Sequence, residues 1–349
     1  MNLVTGATGH IGNVLIRALL AGGKQVRALV LPGEPCDSLK GLPIEIVVAD
    51  ILDEEALERW MKGVETVYHL AGIISIAPGD EELMFRVNVE GTKNVARAAL
   101  KAGVRRMVHT ASVHAFRREP HGLIMTEETP LSLQGAAGAY DQTKAAGAQA
   151  VLEAVAGGLD AVIVCPSGVI GPHDYRTSEM GALLNTFAGG KLHFIVDGAY
   201  DFVDVRDVAD GMIRAAEKGR SGEIYILSGH RISLHRLSKI TQQAASRRSP
   251  LLVVPLGLAL FFSRFTQHLY RRFKKRPRFT PYSLRTVVEN SSFSRGKAER
   301  ELGYRARPLE ESVRDYLAWR KEHYQKCYHR KAAQTDARPR RRSQTSPSS

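Results

Sequence analysis

The sequence predicts an α/β protein: a doubly wound parallel sheet with a smaller, mostly helical C-terminal lobe. Three observations carry this. Over the first 165 residues, short apolar runs alternate with helical patterns. The runs are continuous in Val, Ile and Leu, as in strands buried on both faces. Strand–helix alternation of this kind folds into a parallel sheet through right-handed crossovers.

The elements follow in order. Strands are predicted at 2–5 (NLVT), 25–30 (QVRALV), 44–48 (IEIVV), 66–70 (TVYHL), 105–110 (RRMVHT) and 161–165 (AVIVC). Helical patterns lie between them over Ile11–Ala21, Glu54–Met61, Glu90–Ala102 and Tyr140–Ala156. After Pro166 the pattern loosens, with one further strand at Tyr225–Leu227. We expect an N-terminal domain over 1–228, which lends some segments after 166 to the lobe. The lobe itself is expected over 229–325. From Lys326 the chain turns to Arg, Ser, Gln and Pro. Such a stretch buries too little apolar surface to offset its ordering entropy, so 326–349 reads as a disordered basic tail.

Composition bounds the class. The 349 residues include 49 Lys+Arg, 36 Asp+Glu and 3 Cys, and are 44% hydrophobic. Collagen-like, coiled-coil and wholly disordered readings are excluded. The net charge of +13 sits in two places. Residues 264–278 carry seven Lys/Arg and no acid; residues 326–349 carry seven against Asp336. The rest is neutral overall, so no specific nucleic-acid binding is expected of the main body. Three scattered cysteines (Cys36, Cys165, Cys327) form no disulfide framework, and a reducing, cytoplasmic setting is expected. No leader with a basic and then an apolar region is visible. The longest apolar run, Leu251–Phe262, contains Pro255 and Gly257. It falls short of the roughly 20 residues of a spanning helix.

The opening reads VTGATGHIG, with Gly6, Gly9 and Gly12 between the first strand and the first helix. Glycines there permit a tight turn and let backbone N–H groups approach a pyrophosphate, while the helix offers its positive end. The loop's position after the first strand of an alternating pattern is what gives the motif weight. Gly6, Ala7, Thr8, Gly9, His10, Ile11 and Gly12 are therefore candidate cofactor contacts. The second strand ends at Leu31, which is neither the acid that reads a ribose hydroxyl nor the arginine that pairs with a 2′-phosphate. NAD and NADP both stay open. Asp50 and Ile51, after the third strand, suit an adenine contact; Asp50 equally suits a helix cap.

Tyr140 and Lys144 stand four apart in YDQTK, on one helical face. A lysine beside a phenol lowers its pKa and fits it for proton transfer. Ser112, at the end of a strand in HTASVHA, is placed to hold a substrate oxygen against that phenol; the same hydroxyl also suits strand-end capping. His114, two residues on, is a candidate substrate contact. His69, His109 and His114 lack metal-ligand spacing, so no metal is expected.

The TGATGHIG loop, HLAG at 69–72, NVEGT at 88–92, Ser112, YDQTK and CPSGVIGP at 165–172 occur in one order. Together they resemble the extended short-chain dehydrogenase/reductase superfamily, over about residues 1–325. Within it the chain is most similar to the dihydroflavonol-reductase and 3β-hydroxysteroid-dehydrogenase branch. The resemblance implies a Rossmann domain binding NAD or NADP. Leu70, Ala71 and Gly72 would pass beside the adenosine, and Asn88 would brace the site, although it also suits a helix cap. Pro166 and Val169 would pack by the nicotinamide. Lys144 would hold the nicotinamide ribose and tune Tyr140, the acid/base, with Ser112 as partner. The expected function is an NAD(P)-dependent oxidoreductase on a carbonyl or secondary alcohol of an apolar small molecule.

Two alternatives stand beside it: a nucleotide-sugar epimerase or dehydratase with tightly held NAD, and a non-catalytic dinucleotide-binding or membrane-associated protein. Sugar-nucleotide enzymes carry an arginine just before the Asp-Phe pair of VDGAYDF (196–202); here Tyr200 stands there, which favours a less charged substrate. Asp204 and Asp207 read as helix caps. Leu251–Phe262 reads as lining the lobe's core and an apolar cleft, with a peripheral membrane contact through 251–278 as the other reading. A homodimer is left open.

Overall fold

The computed structural model describes residues 1–75, 79–134, 138–248, 250–261 and 281–336. Seven strands form one parallel sheet: β1 (Asn2–Thr5), β2 (Val26–Val30), β3 (Glu45–Val48), β4 (Thr66–His69), β5 (Arg106–Thr110), β6 (Ala161–Pro166) and β10 (Ile224–Leu227), in the order β3-β2-β1-β4-β5-β6-β10. The order reverses between β1 and β4. Ligands of open α/β sheets bind at such a switch point, outside the carboxyl ends of the strands.

The helices cover both faces. On one, α1 (His10–Ala21) buries Val14, Leu15, Ile16 and Leu19 in a cluster with Val208 and Met212 of α7 (Val205–Lys218). On the other, α4 (Gly91–Lys101) and α5 (Ala139–Ala156) pack Val95, Ala99, Ala148 and Val151 against Val67, Met107 and Ile163. Each Leu, Ile or Val so buried contributes roughly 1.5–3 kcal/mol. The helical stretch before β5 begins earlier than the sequence predicts. Glu81–Phe85 runs through a π-turn, Arg86–Glu90, into α4. Asn88 sits inside that π-turn and caps nothing.

The second lobe differs from a plain helical bundle. It carries two small sheets. One is β11 (His230–Ser233), β9 (Ala199–Asp204) and β7 (Gly168–Ile170); the other pairs β12 (Leu251–Val254) with β8 (His193–Val196). Two helices, α6 (Glu179–Ala188) and α8 (Leu234–Ala244), share its core with Val313 and Tyr316. The helix Gly296–Leu302 returns to the first domain, where Ala298 and Leu302 join the cluster around α7.

Two sequence expectations change here. Leu251–Phe262 opens with a strand, and Leu252, Val253, Leu258 and Phe261 are about half exposed rather than lining a core. Leu252 pairs in register with Phe194 on an edge that nothing further covers among the described residues. The last helix, Leu309–Asp336, crosses position 326. Its Lys, Arg, Ala and Gln content suits a helix that apolar burial alone does not announce. Residues 337–349 of the tail, and 262–280 of the basic stretch, lie outside the described residues.

Candidate active site

The glycine loop turns tightly against β4. Gly6 holds φ +67°, and a Cβ there would meet Ala71 N at 2.7 Å and Leu70 C at 2.8 Å. A Cβ on Gly12 would lie 2.3 Å from the Gly6 carbonyl oxygen. Only glycine fits such backbone-to-backbone approaches. Thr5 holds the other side, its hydroxyl accepting from the backbone N–H of Leu70 and Ala71, both at 3.1 Å. At the start of α1 the N-cap is Gly9, no side chain caps the end, and the first turn holds no acid. Within that first turn no acid competes for the backbone N–H groups and the positive end of the helix dipole. These features fit the diphosphate of a dinucleotide. His10 has its Nε2 2.9 Å from the Pro172 carbonyl. Asp50 accepts from Leu52 N within its own turn, and Asp53 is the cap of α2 (Glu54–Met61). Ile51 is buried against Gly91.

The chemistry-bearing side chains meet at the carboxyl end of β5. Ser112 caps the short turn Val113–Ala115, accepting from His114 N at 3.2 Å. Its hydroxyl also bonds the Tyr140 phenol. The hydroxyl that caps this turn is thus the same one that meets Tyr140. Lys144, buried one turn after Tyr140, donates from Nζ to the Thr110 carbonyl at 3.1 Å. Beside it is Gly72, where a Cβ would lie 3.4 Å from Lys144 Nζ and 3.0 Å from Asn88 Oδ1. Asn88 accepts from Ile73 N (2.7 Å) and donates to the Ile73 carbonyl (2.9 Å) and Thr143 Oγ1 (3.1 Å). It ties the β4 loop to α5. Pro166 ends β6, and Val169 lies on β7 beside it.

The electrostatics correct one expectation. Burial pushes the Tyr140 phenol up to about 12, against the hydrogen bond from Ser112. Burial likewise drives Lys144 down to about 8. Desolvation wins because the Lys144 amine is turned to a carbonyl and both groups leave water. Beneath them His69 and His109 stack at 5.3 Å. His69 bonds Thr5 and Thr92 through its two ring nitrogens, and burial lowers it to about 3. Cys165 of β6 is fully buried, its thiol pushed up to about 12 by burial.

A second set of side chains forms the wall beside Tyr140, and the sequence reading found only part of it. The His114 ring lies edge-on to Tyr140 at 5.7 Å, and its Nε2 is 2.6 Å from the Tyr200 hydroxyl. Arg118 donates to His114 Nδ1 and, at 3.3 Å, to Asp141. Tyr282, from the helix Pro281–Val288, donates to Asp141 as well. Burial raises the Asp141 carboxyl, but its close neighbours His114, Arg118 and Tyr282 bring it below its ordinary value. Asp141 stood inside YDQTK and was legible as a neighbour. Tyr282 carried no local signal.

Asp204 caps α7, accepting from Arg206 N and pairing with Arg206, whereas Asp207 lies inside the first turn of α7 and caps nothing: its carboxylate accepts from the backbone N–H and side chain of Arg307.

The comparisons with known proteins agree with this geometry. Residues 2–228 match the model of the NAD dependent epimerase/dehydratase family. This chain belongs to that family. Its relatives include sterol demethylase protein B of Methylococcus capsulatus, 35% identical over 92% of this chain and 98% of that protein. A second, from Stigmatella aurantiaca, is 4-hydroxy-2-methyl-3-oxo-4-farnesyl-3,4-dihydroquinoline-1-oxide ketoreductase, 30% identical over 90% of this chain and 94% of that one. The crystal structure of gox2253 superposes with a TM-score of 0.82 at 34% identity, over 93% of this chain and 98% of that one. As a member of the family the chain is an NAD(P)-dependent oxidoreductase with a Rossmann domain. Among the described residues no helix is long and apolar enough to cross a membrane.

Proposed function

We propose that the chain moves a hydride between NAD(P) and a carbonyl or secondary alcohol of an apolar small molecule, with Tyr140 as the acid/base. The bound nicotinamide supplies or takes the hydride. Gly6, Ala7, Thr8, Gly9, His10, Ile11 and Gly12 hold the diphosphate end; Asp50, Ile51, Leu70, Ala71 and Gly72 border the adenosine. Lys144 holds the nicotinamide ribose and Asn88 braces the site, with Pro166 and Val169 beside the ring. Ser112 orients the substrate oxygen, and Tyr140 gives or takes its proton. His114 lines the substrate side.

The observation that carries the apolar substrate is Tyr200. It is 6% exposed and hydrogen-bonded to His114, at the position where a diphosphate-binding arginine would stand. The sterol and farnesyl substrates named for relatives point the same way. The test is a screen of ketones, sterol-like alcohols and UDP- or dTDP-sugars with both cofactors. Turnover of apolar carbonyls supports the reading; response to sugar nucleotides alone turns it to the epimerase or dehydratase alternative.

A cytoplasmic enzyme, a homodimer and a peripheral membrane contact through 251–278 go with this reading. For the membrane contact, Phe194, Leu252, Val253, Leu258 and Phe261 are about half exposed, and residues 224–288 hold thirteen Lys/Arg and no acid. An exposed apolar patch in a stretch of sequence this basic suits an anionic bilayer. Sedimentation with phosphatidylglycerol vesicles, lost in high salt and absent with phosphatidylcholine, is expected. No sedimentation removes this part. Light scattering tests the dimer.

A further inference from the structure

Leu31, the residue just past β2, brings no ribose-reading side chain, but the chain turns back at once. Leu31-Pro32-Gly33-Glu34 is a tight turn, with Glu34 N donating to the Leu31 carbonyl at 3.0 Å. Proline suits its second position, and Gly33 at φ +75° suits its third. The turn brings Glu34 over the strand end, where its Oε2 accepts from Leu31 N at 3.2 Å. Its Oε1 accepts from Thr8 Oγ1 of the glycine loop at 2.8 Å and from Arg176 at 2.6 Å. Arg176 also donates to Thr8 Oγ1 at 2.8 Å. The Glu34 side chain is 20% exposed, so it lies at the edge of the cradle rather than out in water. Burial raises the carboxyl, but the bonds from Thr8, Arg176 and Leu31 outweigh it and hold Glu34 below the ordinary glutamate value.

We infer that Glu34, carried back by the LPGE turn, reads the adenosine ribose in place of the absent strand-end acid and selects NAD over NADP. A fixed carboxylate accepts hydrogen bonds from ribose hydroxyls and repels a 2′-phosphate dianion. Arg176, 52% exposed, donates to both Glu34 and Thr8 and fixes the carboxylate in place. The inference rests on the nicotinamide-cofactor reading, with the diphosphate over Gly6–Gly12.

The test is direct binding of NADH and NADPH, followed by cofactor fluorescence, to the full-length protein and to Glu34→Gln and Glu34→Asp. Wild type should bind NADH at least roughly tenfold tighter than NADPH. Glu34→Gln should narrow that ratio by about tenfold, chiefly through tighter NADPH; Glu34→Asp, which keeps the charge, should narrow it less. NADH binding by both variants controls for folding. Wild type that binds NADPH as tightly as NADH sinks the inference, as does an unchanged ratio in Glu34→Gln. If neither cofactor binds wild type, the nicotinamide reading fails and the inference falls with it.

Discussion

Tyr282 donates its phenolic hydrogen to Asp141, so a helix of the second lobe is fastened to the residue beside Tyr140. The same hydroxyl lies 3.1 Å from His114 Nδ1. Tyr282→Phe removes one donor from a buried carboxylate. It should cost about 1–3 kcal/mol of stability. Because the lobe side of the cleft loosens, KM for the carbonyl substrate should rise while NADH affinity holds. Steady-state kinetics with a cofactor titration check both.

Tyr140→Phe should lower turnover by at least about a hundredfold and leave cofactor binding intact. Stopped-flow hydride transfer with NADH fluorescence titration measures the two together. Retained turnover takes Tyr140 out of the mechanism.

With the phenol at about 12, Tyr140 is protonated at working pH and ready to donate. Carbonyl reduction should therefore be flat from pH 6 to 8. Alcohol oxidation, which needs the proton removed, should rise by up to about tenfold per pH unit while chemistry limits the rate. Parallel pH profiles in the two directions test this.

Lys144 is held near 8 in the fold against an ordinary 10.5, so the folded state disfavours its charge. The sign follows from linkage: the unfolded chain binds the extra proton between those values, so this residue's contribution improves as pH rises from about 8 and is lost below it. Lys144→Met should stabilise the cofactor-free protein at pH 7, by at most about 3 kcal/mol, while abolishing turnover. Thermal unfolding at pH 7 and pH 10 gives the difference, which should shrink at the higher pH.

His69 and His109 are also depressed by burial, His69 to about 3. Their contribution is complete above the unfolded value near 6.5 and is lost as pH falls toward the folded values, since the unfolded chain takes the protons first. The Tm should fall steadily from pH 6.5 to pH 4. His109 Nδ1 has no hydrogen-bond partner among the described residues. His109→Leu should flatten that slope without the penalty of a lost bond. An unchanged slope would assign the acid sensitivity elsewhere.

The first domain was legible because its signals are local. Continuous apolar runs such as AVIVC and the glycine loop at Gly6–Gly12 each declare their structure within a few residues. YDQTK did the same for Tyr140 and Lys144. The wall beside them was not legible in this way. Tyr282 meets Asp141 across 141 positions, and Arg176 meets Glu34 across 142. No periodicity records such a contact. The β8–β12 pair was missed because four-residue strands with a half-exposed edge read like any short apolar run. The expected lowering of the Tyr140 pKa failed for a different reason: spacing gave the lysine's proximity but not the depth of burial.

Cys165 lies at the floor of the site, fully buried. Its thiol, held up near 12, is sealed and unreactive while the sheet is intact. The enzyme thus carries its own tamper seal: alkylation of this sulfur records each excursion in which the central strands part, and a tightly held dinucleotide should slow that labelling in proportion to the protection it gives.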